Sequence, residues 1–260
     1  MATGVSIGTA WSEAAAFVRR EKKLLAPLVL ALMVVPATVS QLVQPSNPFA
    51  GPDGFQPWMA IAALTLVVGL AGQMAVSRLA LGWHGSLGEA IVTALKRLAT
   101  VIAAFILFFL CVALLLFPGI VVLTLAGGAA GTAQLANFLT LLAVFAAAPK
   151  ILLAPAIAMD RQMGAWALVK ATWQATRGHY WRLLGFFILF LAASLIFAMA
   201  ASSVVGTVAT LALGKPDPMS VSRLTIALAG GLVQGVVATI YAAMIGRIVA
   251  QLPERSTEGI

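Results

Sequence analysis

Charged residues are scarce in this chain. Only 9% of its 260 residues are Asp, Glu, Lys or Arg, against about 25% in a soluble domain, so no water-facing shell can be built from them. Cysteine is nearly absent. The single Cys111 sits inside an apolar run, which excludes an intrachain disulfide. With only His84 and His179 to add, the ligands for a zinc or iron–sulfur site are too few. Carboxylates are missing from every long apolar run: Glu13, Glu21, Asp53, Glu89, Asp160, Asp217, Glu254 and Glu258 all fall outside them. Proton- and sodium-coupled carriers rely on acidic or histidine relays at mid-membrane, so an ion-coupled pump is disfavoured. No glycine-rich phosphate loop followed by Lys-Ser/Thr occurs, which argues against ATP-driven work by this chain alone. Nor is there a catalytic constellation. Asp160 has no second carboxylate or histidine spaced to cooperate with it, and beside Arg161 its simpler role is to cap or orient the helix that follows. The expectation is a non-enzymatic protein without metal or cofactor.

What the chain does have is apolar length. Hydrophobic residues make up 62% of it and the mean hydropathy is +1.03. A spanning helix needs about 20 mostly apolar residues, and six segments qualify: 24–43, 57–79, 99–125, 132–157, 183–212 and 222–249. Several exceed the need, so tilt or kinks are expected, with Pro118–Gly119 and the pair Pro149 and Pro155 as kink points. The first ten residues carry no basic side chain. Arg19, Arg20, Lys22 and Lys23 instead precede an apolar run too long for a signal peptide's core, which reads as an uncleaved first span.

The net charge of +8 is read through its distribution, and no nucleic-acid partner is implied. Arg19, Arg20, Lys22 and Lys23 lie before the first span; Arg78, Lys96 and Arg97 between the second and third; Arg161, Lys170, Arg177 and Arg182 between the fourth and fifth; Arg247 and Arg255 at or after the end of the sixth. The alternate loops "QPSNPFAGPDGFQP" and "AGGAAGTAQ" hold no Lys or Arg, and the third holds Lys215 with Arg223 at its edge. Cytoplasmic loops collect Lys and Arg, so both termini are expected in the cytoplasm.

Each odd-numbered span is preceded by a segment apolar on one face. In "SLGEAIVTALKRLAT" the stripe is Leu87, Ala90, Ile91, Ala94, Leu95 and Leu98; in "AWSEAAAFVRREKKLL" it is Trp11, Ala14, Ala15 and Val18; after Gly164 it is Trp166, Val169, Trp173 and Tyr180. The expected architecture is therefore all-α and polytopic. It comprises one integral membrane domain over 1–260, with six transmembrane helices as three hairpins, each preceded by a cytosolic-side interfacial amphipathic helix. The approximate repeats are 11–79, 86–157 and 164–249.

The segment "LAPAIAMDRQMGAWALVKATWQATRGHYWRLLG" joins a Pro-bearing span end, Asp160, a small-residue helix and the run Arg177 to Arg182. In this it resembles the glycerophosphoryl diester phosphodiesterase membrane-domain family and its YciC-like bacterial relatives, whose span number and loop character also agree. The resemblance concerns the membrane part only, because no residues remain to build a phosphodiesterase barrel. It implies a six-span protein of the bacterial inner membrane connected with membrane lipids.

Three sets of side chains are candidates for function. Lys170, Arg177, His179 and Arg182 stand beside tryptophans and can reach anionic headgroups, or the stretch can simply anchor a helix at the interface. His84 and His179 fit interfacial polar residues better than metal ligands. Lys150, the one basic residue that can lie inside a span, either snorkels to the surface or lines a cavity with Gln73 and Asn137. In the sixth span the small row containing Gly231, Gly235 and Gly246 permits close helix approach, within the bundle or between two copies. Two functions follow: a lipid-associated or envelope-organising module, or a passive or partner-driven transporter of a lipid or amphipathic solute. A wide cavity reaching Gln73, Asn137 and Lys150 would favour the transporter. Expected partners are anionic membrane lipids, with a protein partner or a second copy also open.

Overall fold

The structure, a computed structural model, describes residues 6–45, 56–82, 85–126, 130–217 and 220–252. Among these there is no strand. The chain runs through ten α-helices: α1 Ile7–Arg20, α2 Lys22–Val29, α3 Val35–Val43, α4 Pro57–Ala80, α5 Leu87–Ala126, α6 Ala130–Ile151, α7 Ala154–Asp160, α8 Ala165–Thr176, α9 Tyr180–Leu213 and α10 Val221–Ala250, with a π-helical turn, Leu30–Val34, joining α2 to α3. Six stretches are long and apolar enough to cross a membrane: Lys22–Val43, Pro57–Ala80, Leu87–Gly119, Phe138–Asp160, Tyr180–Leu213 and Val221–Ala250. The protein is thus a multi-pass membrane protein. Large side chains face outward, Leu115 at 82% exposure and Leu211 at 83%, a surface only lipid tails make tolerable.

Local signals set the helix ends. Ser6 caps α1, its hydroxyl accepting from the Thr9 N–H at 3.3 Å, and Ser220 caps α10 by accepting from the Arg223 N–H at 3.1 Å. Ser86 and Glu89 form a reciprocal capping box at the start of α5. Gly178 and Gly214 adopt φ of +83° and +87°, a left-handed backbone that only glycine enters without strain. They end the turn into α9 and α9 itself.

One feature of the spans differs from the sequence-based expectation: the second interfacial helix and the third span are not separate elements, and α5 continues through 40 residues. No glycine or proline lies between Glu89 and Phe117 to interrupt it, and at 1.5 Å per residue it reaches about 60 Å. Pro118 lies inside it without breaking it. The fourth span is interrupted where its proline pair placed a kink, at Leu152–Leu153 between Pro149 and Pro155, so that α7 is a separate short helix. The first span carries a π-turn that hydropathy does not reveal. It falls between Pro27 and Pro36, where the proline ring would clash with the carbonyl one turn earlier, and the wider turn makes room.

Helix α10 is the centre of the bundle, packed against α9, α4, α3, the π-turn and α1. Its small row does this work within one chain. A Cβ on Gly231 would collide with Thr38 Oγ1 and stand 2.9 Å from the Val34 carbonyl oxygen; one on Gly246 would stand 2.9 Å from both Ala80 Cβ and the Ser77 carbonyl oxygen; one on Gly235 would meet Val34 Cγ2 at 2.6 Å. Backbone approach of this kind is how membrane helices gain dispersion energy without a hydrophobic driving force. The Ser77 hydroxyl adds a hydrogen bond to the Ala242 carbonyl at 3.1 Å.

The short helices also pack through small residues, which corrects the expected stripes at their tryptophans and at Leu95, while Ala14, Ala90 and Ala94 are buried as expected. Helix α1 turns Ala10, Ala14 and Phe17 onto α10 and leaves Trp11 exposed. Helix α8 buries Leu168, Thr172 and Thr176 against α5, α6 and α7, while Trp166 stays 64% exposed and Trp173 half exposed. In α5 the buried residues are Ala90, Ala94, Val101, Ala104 and Phe108, with Leu95 outside.

Candidate functional site

A cleft of about 1120 Å³ opens between the π-turn with α3, α4, α5 and α10. One wall is the apolar side of α5, where Ile102, Phe105, Ile106 and Phe109 project. The other walls carry polar stripes set by helical spacing. On α3, Ser40, Gln41 and Gln44 share a face; on α4, Thr65, Gly69 and Gln73 recur every fourth residue; α10 contributes Gln234. Among the described residues no charged side chain lines the cleft. Its polar inventory is therefore amides and hydroxyls, which both donate and accept.

The amides are spread in depth. Gln44 closes the end of α3, Gln234 sits in the fourth turn of α10 and Gln73 in the fifth turn of α4. With a 5.4 Å pitch, these stations span on the order of 20 Å along the bundle. The Gln41 amide lies against the α10 backbone at Gly230, where a Cβ would stand 2.8 Å from its Nε2. At the mouth, Arg223 Nη2 donates to the carbonyls of Leu42 at 3.0 Å and Gln44 at 2.9 Å. It thereby completes the exposed end of α3.

The opposite end of the bundle is basic. Arg78 Nη1 donates to the Met159 carbonyl at 3.0 Å, and Arg97 Nη1 donates to the neighbouring Ala158 carbonyl. Two guanidiniums thus cover the carbonyl end of α7, where the helix dipole is negative. The burial of Ala154 through Met159 makes that cap the anchor of the whole end. Arg247 lies 5.8 Å from the Phe17 ring centre, and the Ser6 amide donates to Gln251 Oε1 at 3.0 Å, tying α1 to α10.

The sequence-derived candidates do not converge on one place. Gln73 lines the cleft, but Lys150 does not, which corrects the expected grouping of Gln73, Asn137 and Lys150. Asn137 lies on α6, and its side chain is outside what the structure describes. Lys150 instead faces α8 and the start of α9: its Nζ stands 4.4 Å from the Trp173 ring centre and 5.2 Å from that of Tyr180. The Tyr180 hydroxyl in turn donates to the Ala146 carbonyl at 2.7 Å. Arg177, at the end of α8, lies in the turn between Trp173 and Tyr180. Arg177, Lys170 and Arg182 are exposed, and His179, part-buried, approaches the Arg177 carbonyl at 3.5 Å. His84 lies outside the described residues. Among the described residues no group of three or more His, Cys, Asp or Glu stands together. Sequence reasoning missed Gln41, Gln44 and Gln234, and it missed the arginine cap on α7. No protein-family model, characterised protein or solved structure matches this chain.

Proposed function

We propose that this is a non-enzymatic membrane protein that takes an amphipathic lipid into the cleft between α3, α4, α5 and α10, and passes or presents it without coupling to an ion gradient. The observation that carries this reading is the uncharged, amide-bearing cleft. Its α5 wall suits acyl chains, and its glutamines suit ester, hydroxyl or amide groups. An ionised group placed among them would lose its hydration without a counter-charge. The volume exceeds the upper range of ordinary small-molecule pockets, as a chain-bearing ligand requires. Of the three side chains whose common cavity would favour transport, Gln73 lines this cleft and Lys150 does not, so the transfer reading rests on the cleft's own glutamines and apolar wall. The orientation in this reading follows the basic residues: the end bearing Arg78, Arg97 and Lys150 faces the cytoplasm of a bacterial inner membrane, and α1, α8 and the first turns of α5 lie at that interface.

The experiment is photo-crosslinking in nanodiscs that contain a phosphatidylethanolamine with a diazirine in its acyl chain, with adducts mapped by mass spectrometry. Adducts on Phe105, Phe109 and Gln234 well above those on the outward Leu115 and Leu211 are expected, and Gln73→Leu with Gln234→Leu should reduce the excess. Equal labelling of cleft and outer faces would defeat the proposal.

A further inference from the structure

We propose that Lys150 and Arg177, with Trp173 and Tyr180, form a binding site for the phosphate of an anionic lipid, separate from the cleft. The sequence offers no reason to join these residues, because Lys150 belongs to α6 and Arg177 to the turn between α8 and α9. The fold brings them together. Lys150 Nζ stands over the rings of Trp173 and Tyr180, and Arg177 lies in the turn between those two residues, so two cations gather at one corner of the bundle, where a carboxylate would be the ordinary remedy. Three of the described acidic residues near this end of the bundle are engaged elsewhere: Asp160 pairs with Arg161 at 3.2 Å, Glu21 with Arg20 at 2.8 Å, and Glu89 caps α5; the fourth, Glu13, belongs to α1, which packs against α10. The cluster is therefore a positive site that lacks an internal counter-ion, and an external anion meets that need.

The aromatic rings sharpen the geometry. Trp173 and Tyr180 place their faces 4.4 and 5.2 Å from Nζ, and Tyr180 is itself fixed by its bond to the Ala146 carbonyl. Ring faces attract an ammonium through their quadrupoles but provide no lone-pair oxygen, so the N–H groups of Lys150 stay suited to phosphate oxygens. Lys150 is thereby held in place rather than left to wander in search of water.

A lipid rather than a free anion fits the surroundings. Trp181 beside the cluster is 79% exposed, and Ile188 and Leu189, two turns further along α9, also face outward. A phosphate at the cluster would have its chains lying along that apolar face, at the depth where tryptophan prefers to sit.

The test uses the full chain in an uncharged detergent, titrated with phosphatidylglycerol, with zwitterionic phosphatidylcholine, and with inorganic phosphate as competitor, bound lipid being counted by native mass spectrometry. Lys150→Gln and Arg177→Gln should each weaken phosphatidylglycerol binding about fivefold or more, with Lys150→Arg close to the parent. Neutralising the same number of charges elsewhere, by Lys22→Gln with Lys23→Gln, should leave that binding in place. Arg177 is exposed, so its variant keeps the test usable if Lys150→Gln does not fold. Equal losses from the Lys22 and Lys23 changes would reduce the site to general surface charge and overturn it, as would unchanged binding in both site variants. Phosphatidylcholine binding as tight as phosphatidylglycerol would remove the anionic preference, and displacement by millimolar-range phosphate would reassign the site to a free anion. Gln73→Leu with Gln234→Leu, which weakens the cleft, should not alter this binding, so failure of one site leaves the other standing.

Discussion

Replacement of Gly231 by alanine is the sharpest probe of how this bundle is held. The added methyl meets two obstacles, Thr38 Oγ1 and the Val34 carbonyl oxygen at 2.9 Å. The carbonyl is backbone and cannot rotate away. The hydroxyl can, but only by giving up its 2.8 Å hydrogen bond to that same carbonyl, which is buried. Overpacking costs about 1–3 kcal/mol and the lost hydrogen bond about 1 kcal/mol. Alanine's higher helix propensity returns about 1 kcal/mol, so the net loss is about 1–3 kcal/mol. Gly206 on α9 is the control, since a Cβ there meets nothing within 4 Å; its alanine variant should be neutral or slightly stabilising. Both can be measured by far-UV circular dichroism across an SDS series in mixed micelles. A Gly231→Ala protein as stable as Gly206→Ala would refute the claim that α10 rests backbone-to-backbone on the first span, and with it the single-chain reading of the small-residue row.

Two further predictions concern the basic end. Arg78→Gln and Arg97→Gln should each cost about 1–2 kcal/mol, less than additively in combination because they serve adjacent carbonyls of α7; faster amide exchange over residues 157–161 is the readout. In a Cys111→Ala background, Ser86→Cys and Lys215→Cys should react with an impermeant maleimide from opposite faces of the membrane, Ser86 from the cytoplasmic one; labelling from the same face would remove the proposed orientation.

The six spans were legible because a run of twenty apolar residues has few alternatives, and their limits in the structure fall close to the runs in the sequence. The faces of the short helices were not legible. A hydrophobic stripe is found by looking for large apolar residues, which led to Trp11, Trp166 and Trp173. Packing between membrane-associated helices selects for small ones, so Ala10 and Thr172 turned inward beside the expected Ala14, and the tryptophans turned outward. The fusion of α5 was visible in principle, since nothing between Glu89 and Phe117 could stop a helix, but an amphipathic stripe followed by an apolar run reads as two elements. The cleft was half visible. Gln73 drew notice as a polar residue in a span, whereas its companions Gln41, Gln44 and Gln234 belong to helices whose adjacency no local pattern states. The surroundings of Lys150 were hidden for the same reason: its aromatic neighbours lie more than twenty residues away in sequence.

Helix α5 gives the two ends of this protein a common mechanical part. Its middle turns form the greasy wall of the cleft, and its early turns hold Arg97 against α7. The rod has no break between these stations. A swing of it as one piece that widened the cleft would draw Arg97 relative to the Ala158 carbonyl, so the two ends share one rigid element.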